Sequence, residues 1–143
     1  MAIPDPGATR TELNGHTITI ERDQTLHVIL RGDLRLEETK FIQAQLYALG
    51  DRYGGVACLF DISRMAGFDH ATRQAWVRVS RPLPVAIGCF YGGSFAIRTL
   101  ISTVYKAGRL LLPDFFQFTI EFPPTEAEGR ALIAAYRAKA AKK

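Results

Sequence analysis

The chain has 143 residues, 48% apolar and 22% charged, with a formal net charge of +4. That length fits one domain, and the mix excludes collagen, coiled coil and wholesale disorder. No apolar run reaches about 18 residues, so no transmembrane helix is expected.

Residues 1–15 contain Pro4, Pro6, Gly7 and Gly15 and read as a loose arm. They show no basic region followed by an apolar stretch, so no signal peptide is expected and a cytoplasmic chain is the reading. Thr17-Ile18-Thr19-Ile20-Glu21 alternates with β-branched residues and reads as a strand; Leu26-His27-Val28-Ile29-Leu30 reads as its hairpin partner, ending in an Arg31-Gly32-Asp33 turn. Leu36 to Leu49 reads as a helix, with Phe41, Ile42, Leu46 and Leu49 on one broad face. Gly50 and the Gly54-Gly55 pair end it.

Val56-Ala57-Cys58-Leu59-Phe60 is short and apolar throughout, as suits a central strand covered on both sides. Asp61 to Phe68 reads as a loop. Asp69 is placed to cap a helix over about residues 70–80, which Pro82 and Pro84 stop. Val85 to Tyr91 reads as another buried strand, Gly92-Gly93 as a turn and Ser94 as the cap of a third helix. Ile97, Leu100, Ile101 and Val104 give that helix the clearest period in the chain. Phe115 to Phe122 reads as a last strand. Thr125 to Glu128 forms a capping box opening a helix to about Lys139, with a basic tail at 140–143. The order ββαβαβαβα predicts one α/β domain over residues 16–139, its sheet mixed but mostly parallel with right-handed crossovers.

Residues 130–143 hold five basic residues and no acid, which leaves 13 basic against 14 acidic residues in the rest. The positive balance therefore reads as a solubilising helix end, and no nucleic-acid partner is expected. Cys58 and Cys89 sit inside apolar runs without a CxxC pair and read as reduced core thiols. His16, His27 and His70 lie on different elements, so no metal site is expected. No phosphate-binding glycine motif appears, and no cofactor is expected.

The chemistry-bearing residues gather at the expected carboxyl ends of the strands: Asp61, Ser63, Asp69, His70, Thr72, Arg73, Gly92, Gly93 and Ser94. Two helix starts there, near 70 and 94, offer unpaired amides suited to an anion, although Gly-Gly-Ser is also a common capped turn. Asp61, Ser63 and His70 are the only serine, histidine and carboxylate set close in sequence. They lack a nucleophile elbow, so a hydrolase is not the expected reading. Trp76 reads as a core-edge residue with Arg73, Arg78 and Arg81 on the same helix. Phe115, Phe116, Phe118 and Phe122 are dense near the last strand. A sheet covered mainly on one face would leave some of them on an apolar patch open to a homodimer.

Three segments together resemble the STAS family of anti-sigma-factor antagonists, most of all its SpoIIAA-like, STAS/SEC14-like branch. They are Leu30-Arg31-Gly32-Asp33-Leu34, Leu59-Phe60-Asp61-Ile62-Ser63 and Gly67-Phe68-Asp69-His70-Ala71-Thr72. The resemblance implies helices mainly on one face and a non-enzymatic protein-interaction domain docking through residues 61–78. It also implies a phosphorylatable serine where this chain has Ala71, which puts a kinase-controlled switch in doubt. As the alternative, the resemblance allows a carrier or sensor of a small apolar ligand or lipid, which needs a cavity between sheet and helices.

Overall fold

A computed structural model describes residues 7–142, so residues 1–6 of the expected arm and Lys143 of the expected tail lie outside the described residues. The elements are β1 (Thr9–Leu13), β2 (His16–Ile20), β3 (Leu26–Leu34), α1 (Leu36–Tyr53), β4 (Val56–Phe68), α2 (His70–Val77), β5 (Val85–Tyr91), α3 (Phe95–Leu111), β6 (Thr119–Glu121) and α4 (Glu126–Ala141). They form one six-stranded sheet in the order β1-β2-β3-β4-β5-β6. β1, β2 and β3 pair antiparallel, and β3 to β6 pair parallel. The mixed, mostly parallel α/β sheet expected from the sequence is the observed one, with one strand added at its start.

That added strand corrects the reading of residues 1–15 as an arm. Leu13 pairs with His16, so Asn14-Gly15 is the whole turn. Both residues have positive φ, 52° and 89°, as the tightest hairpin turn needs and as an Asn-Gly pair readily provides. A second correction concerns residues 31–34 and 61–68. Neither segment is a loop. Arg31 pairs with Arg64, Gly32 with Met65, Asp33 with Gly67 and Leu34 with Phe68, with register shifts on the way. Backbone amides there are satisfied by a bulged parallel ladder, so β4 runs 13 residues. The expected last strand shrinks instead: Pro113–Phe115 makes a 3-10 turn and only Thr119–Glu121 pairs with β5.

Side chains along β4 alternate between two cores. Val56, Cys58, Phe60 and Ile62 face the main core with Leu26, Val28, Leu30, Ile42, Leu46, Ile97 and Phe116. Ala57 and Leu59 face the other side, where they meet Ile87, Cys89, Tyr91 and Ile133 of α4. The division has a topological cause. β3, β4, β5 and β6 follow one another in one direction across the sheet, and crossovers of one hand then stack α1, α2 and α3 on one face. α4 follows the last strand and closes over the opposite face. It packs through Ile133 on Ala57 and Leu59 of β4 and on Ile87, Cys89 and Tyr91 of β5. Cys58 and Cys89 are free and buried on opposite faces of the sheet, as expected of core thiols. Burial pushes their thiols up to about 12 and about 11.

Candidate functional site

The nine residues singled out from the sequence fall into two separate groups. Asp61 and Ser63 sit within β4. The Ser63 hydroxyl and amide both donate to the same Asp61 carboxylate oxygen, at 2.6 and 2.9 Å. Gly92 lies against them: a Cβ there would stand 3.0 Å from the Ser63 Cβ, and φ is 80°. A Cβ on Gly93 would meet Ile62 Cδ1 at 2.4 Å. Ser94 caps α3 by accepting from the Ile97 amide at 3.2 Å.

Asp69, His70, Thr72 and Arg73 form the second group, at the start of α2. At about 3.3 Å per residue, the strand from Ser63 to Phe68 separates the groups by about 16 Å. Asp61, Ser63 and His70 are therefore not brought together. Asp69 accepts from the Thr72 amide at 2.9 Å, and that bond holds its carboxyl below the usual range. Asp69 and Ser94 are thus helix caps first, as their sequence positions predicted.

Between the sheet and the three stacked helices lies a cavity of about 110 Å3 with no polar surface on its walls. Leu30, Cys58 and Phe90 form its floor, Trp76 closes it from α2, and Ile101, Val104 and Tyr105 close it from α3. Trp76 is half-buried at the core edge, as expected. The phenylalanines near β6 are spent mostly inside: Phe116 is buried, and Phe118 lines the same cavity. The Tyr105 hydroxyl donates to the Phe118 carbonyl, which ties α3 to the segment before β6.

The opposite face holds a polar cluster that sequence reading missed. His27 Nε2 lies 2.9 Å from the Tyr91 hydroxyl, which in turn donates to Glu126 at 3.3 Å. Arg130 donates to both Glu21 oxygens, at 2.9 and 2.7 Å, and to Glu126 at 2.9 Å. Burial lowers the His27 pKa and raises that of Tyr91. Hydrogen bonding to Arg130 lowers that of Glu126. The only local signal was a histidine and a tyrosine inside apolar strands. Their partners arrive from up to 103 residues away. Every member bonds another, so the cluster works as a clamp between α4 and the sheet.

A second buried pair joins β2 to α1. His16 Nδ1 accepts from the Arg31 amide at 3.0 Å, so its proton sits on Nε2. Nε2 faces the Asp33 carbonyl at 3.1 Å and Glu38 Oε1 at 3.3 Å. Among the described residues no group of three or more metal-ligating side chains forms, and no helix is long and apolar enough to cross a membrane.

No family model, curated protein or solved structure matches this chain. The likeness to the STAS family rests on its three motifs. Leu30–Leu34 and most of Leu59–Ser63 lie in paired strands, whereas the family likeness placed a turn at the first.

Proposed function

We propose that this chain is a non-enzymatic binding domain for a small apolar molecule held between the sheet and α1 to α3. The observation that carries the reading is the apolar cavity beneath α3. At about 110 Å3 it is smaller than most drug-sized sites. It is nearer the roughly 150 Å3 voids that stay dry and take up benzene. A molecule there would gain contact with Phe90, Trp76 and Tyr105 without desolvating any polar group. The test is thermal unfolding of the full chain with benzene. Ligand at about ten times its Kd stabilises by about 1.4 kcal/mol, a rise in Tm of about 4 °C. Val104→Phe, which fills the void, removes that rise while keeping the circular dichroism spectrum. No rise in the unsubstituted chain overturns the reading.

A protein-docking reading has a separate support. Arg64 and Arg73 carry no hydrogen bond or ion pair from their side chains among the described residues. They flank the exposed run of β4 and the start of α2, with Ala71 where a phosphorylated serine would stand. On this reading a cytoplasmic partner protein is held without a phosphorylation switch. His70→Ala with Arg73→Ala then abolishes partner capture and leaves Tm unchanged. Asp69 is left intact in that test because its loss would unseat α2.

A further inference from the structure

Residues 70–113 contain six basic residues and no acid. The basic C-terminal segment, by contrast, is partly neutralised. Arg130 is paired with Glu21 and Glu126, and Arg137 with Asp23. Positive charge without an acid partner among the described residues therefore gathers on α3 and next to α2 as well as at Lys139 and Lys142 of the helix end. Within the acid-free stretch only Arg81 has an acid partner among the described residues, Asp51. Arg78, Arg98 and Lys106 are exposed and have none among the described residues.

α3 is apolar on two sides. Ile97, Ile101, Val104 and Gly108 point inward. At about 100° per residue, Phe95, Arg98, Lys106, Arg109 and Leu110 fall within an arc of about 120° on the outer side. Phe95 is 77% exposed and Leu110 82%. About 22 Å of helix separates the aromatic anchor from Leu110, and the three cations lie between them. Arg109 rests on the Tyr105 ring, which holds its charge at the helix surface.

We propose that the outer face of α3 docks flat on an anionic lipid bilayer. Positive charge interleaved with exposed large apolar side chains matches both layers of that surface: phosphates attract Arg98, Lys106 and Arg109, and the acyl boundary takes Phe95 and Leu110. A nucleic acid would satisfy the cations but offers nothing to Leu110. An acidic protein lacks a reason for anchors at both ends of one helix. The docking stands apart from the cavity reading. Val104 faces inward, so Val104→Phe leaves vesicle binding unchanged whether or not benzene binds.

The experiment is sedimentation of the full chain with vesicles of phosphatidylcholine alone and of phosphatidylcholine mixed with phosphatidylglycerol. The chain pellets with the anionic vesicles and not with the neutral ones. Binding falls as salt rises from about 0.05 to about 0.5 M, because the Debye length shrinks to a few ångströms. Arg98→Glu with Lys106→Glu weakens binding about 25-fold or more, at about fivefold per cation near the surface. Phe95→Ser with Leu110→Ser weakens it about tenfold or more, and these exposed sites leave Tm in place. Absence of binding to the anionic vesicles overturns the proposal. So does equal binding to neutral vesicles. Duplex DNA binding that the charge reversals abolish, with vesicle binding indifferent to Phe95 and Leu110, also overturns it in favour of a polyanion site.

Discussion

Arg130 of α4 grips both carboxylate oxygens of Glu21, which lies just past the end of β2, at 2.9 and 2.7 Å. The same guanidinium holds Glu126 one helical turn earlier. This fork matches a carboxylate in a way a lysine cannot. The site is part-exposed, so solvent screening discounts the gain. Arg130→Ala is expected to cost about 1 kcal/mol by urea unfolding, and Arg130→Lys to recover less than half. A double-mutant cycle with Glu21→Gln isolates the pair.

Acid weakens this clamp first through His27. Its imidazole faces Glu21, Asp61 of β4, Tyr91 of β5, and Glu126 and Arg130 of α4, and burial lowers its pKa below the ordinary 6.5. Just under pH 6.5 the unfolded chain therefore binds more protons than the folded one. Stability is whole above pH 6.5 and falls as pH drops through the folded value. Glu12, Asp23, Asp51, Asp69 and Glu126 are also lowered. Their contribution is lost later, as pH drops below about 4. His27→Gln is expected to flatten the loss between pH 7 and 5 and leave the steeper one below 4, as read by urea midpoints across pH.

The buried pair of His16 and Glu38 predicts an asymmetric result. His16→Leu alone leaves the 1% exposed Glu38 side chain without the imidazole Nε2 that faces it. Leaving that buried polar group unpartnered should cost about 1–3 kcal/mol. His16→Leu with Glu38→Met removes both polar ends at once and should be markedly less destabilised than the single variant. Chemical denaturation of the two variants decides it, and a more stable single variant would contradict the pairing.

Two glycines predict opposite signs. A Cβ at Gly108 would fall 2.4 to 2.6 Å from the ring of the buried Phe116, which would have to shift to admit it. Gly108→Ala is expected to cost about 1–3 kcal/mol through overpacking. At Gly88 the nearest atoms stand at 3.5 Å, an ordinary contact beside the cavity. Gly88→Ala is expected to stabilise by about 0.5 kcal/mol, because a strand glycine loses more backbone freedom on folding. Thermal unfolding of both variants tests the contrast.

Asp69 separates capping from binding. Asp69→Ala is expected to cost about 1 kcal/mol, and Asp69→Asn only a few tenths, since asparagine still accepts from the Thr72 amide. A stability loss of equal size in both would mean that the charge, not the cap, holds the start of α2.

What the sequence by itself determined was whatever depends on neighbours within a few residues. Asp69, Ser94 and Thr125 each cap their helix by a bond to the amide three residues on, so spacing alone announces them. Val56–Phe60 shows its two-sided burial in its own composition. The Asn14-Gly15 turn was equally local, and with β-branched Thr on both flanks it announces β1 against the prolines further upstream. Tertiary structure decided the rest. β4 continues to Phe68 because bulged pairing with β3 satisfies its amides, and no residue of that segment carries the information alone. The candidate residues divide into two groups because that strand holds them apart. Arg130 finds Glu21, and the cavity opens beneath α3, only once crossovers of one hand have sent three helices to one face and the fourth to the other. Such contacts join positions that chain connectivity leaves far apart, and they exist only where packing closes the distance.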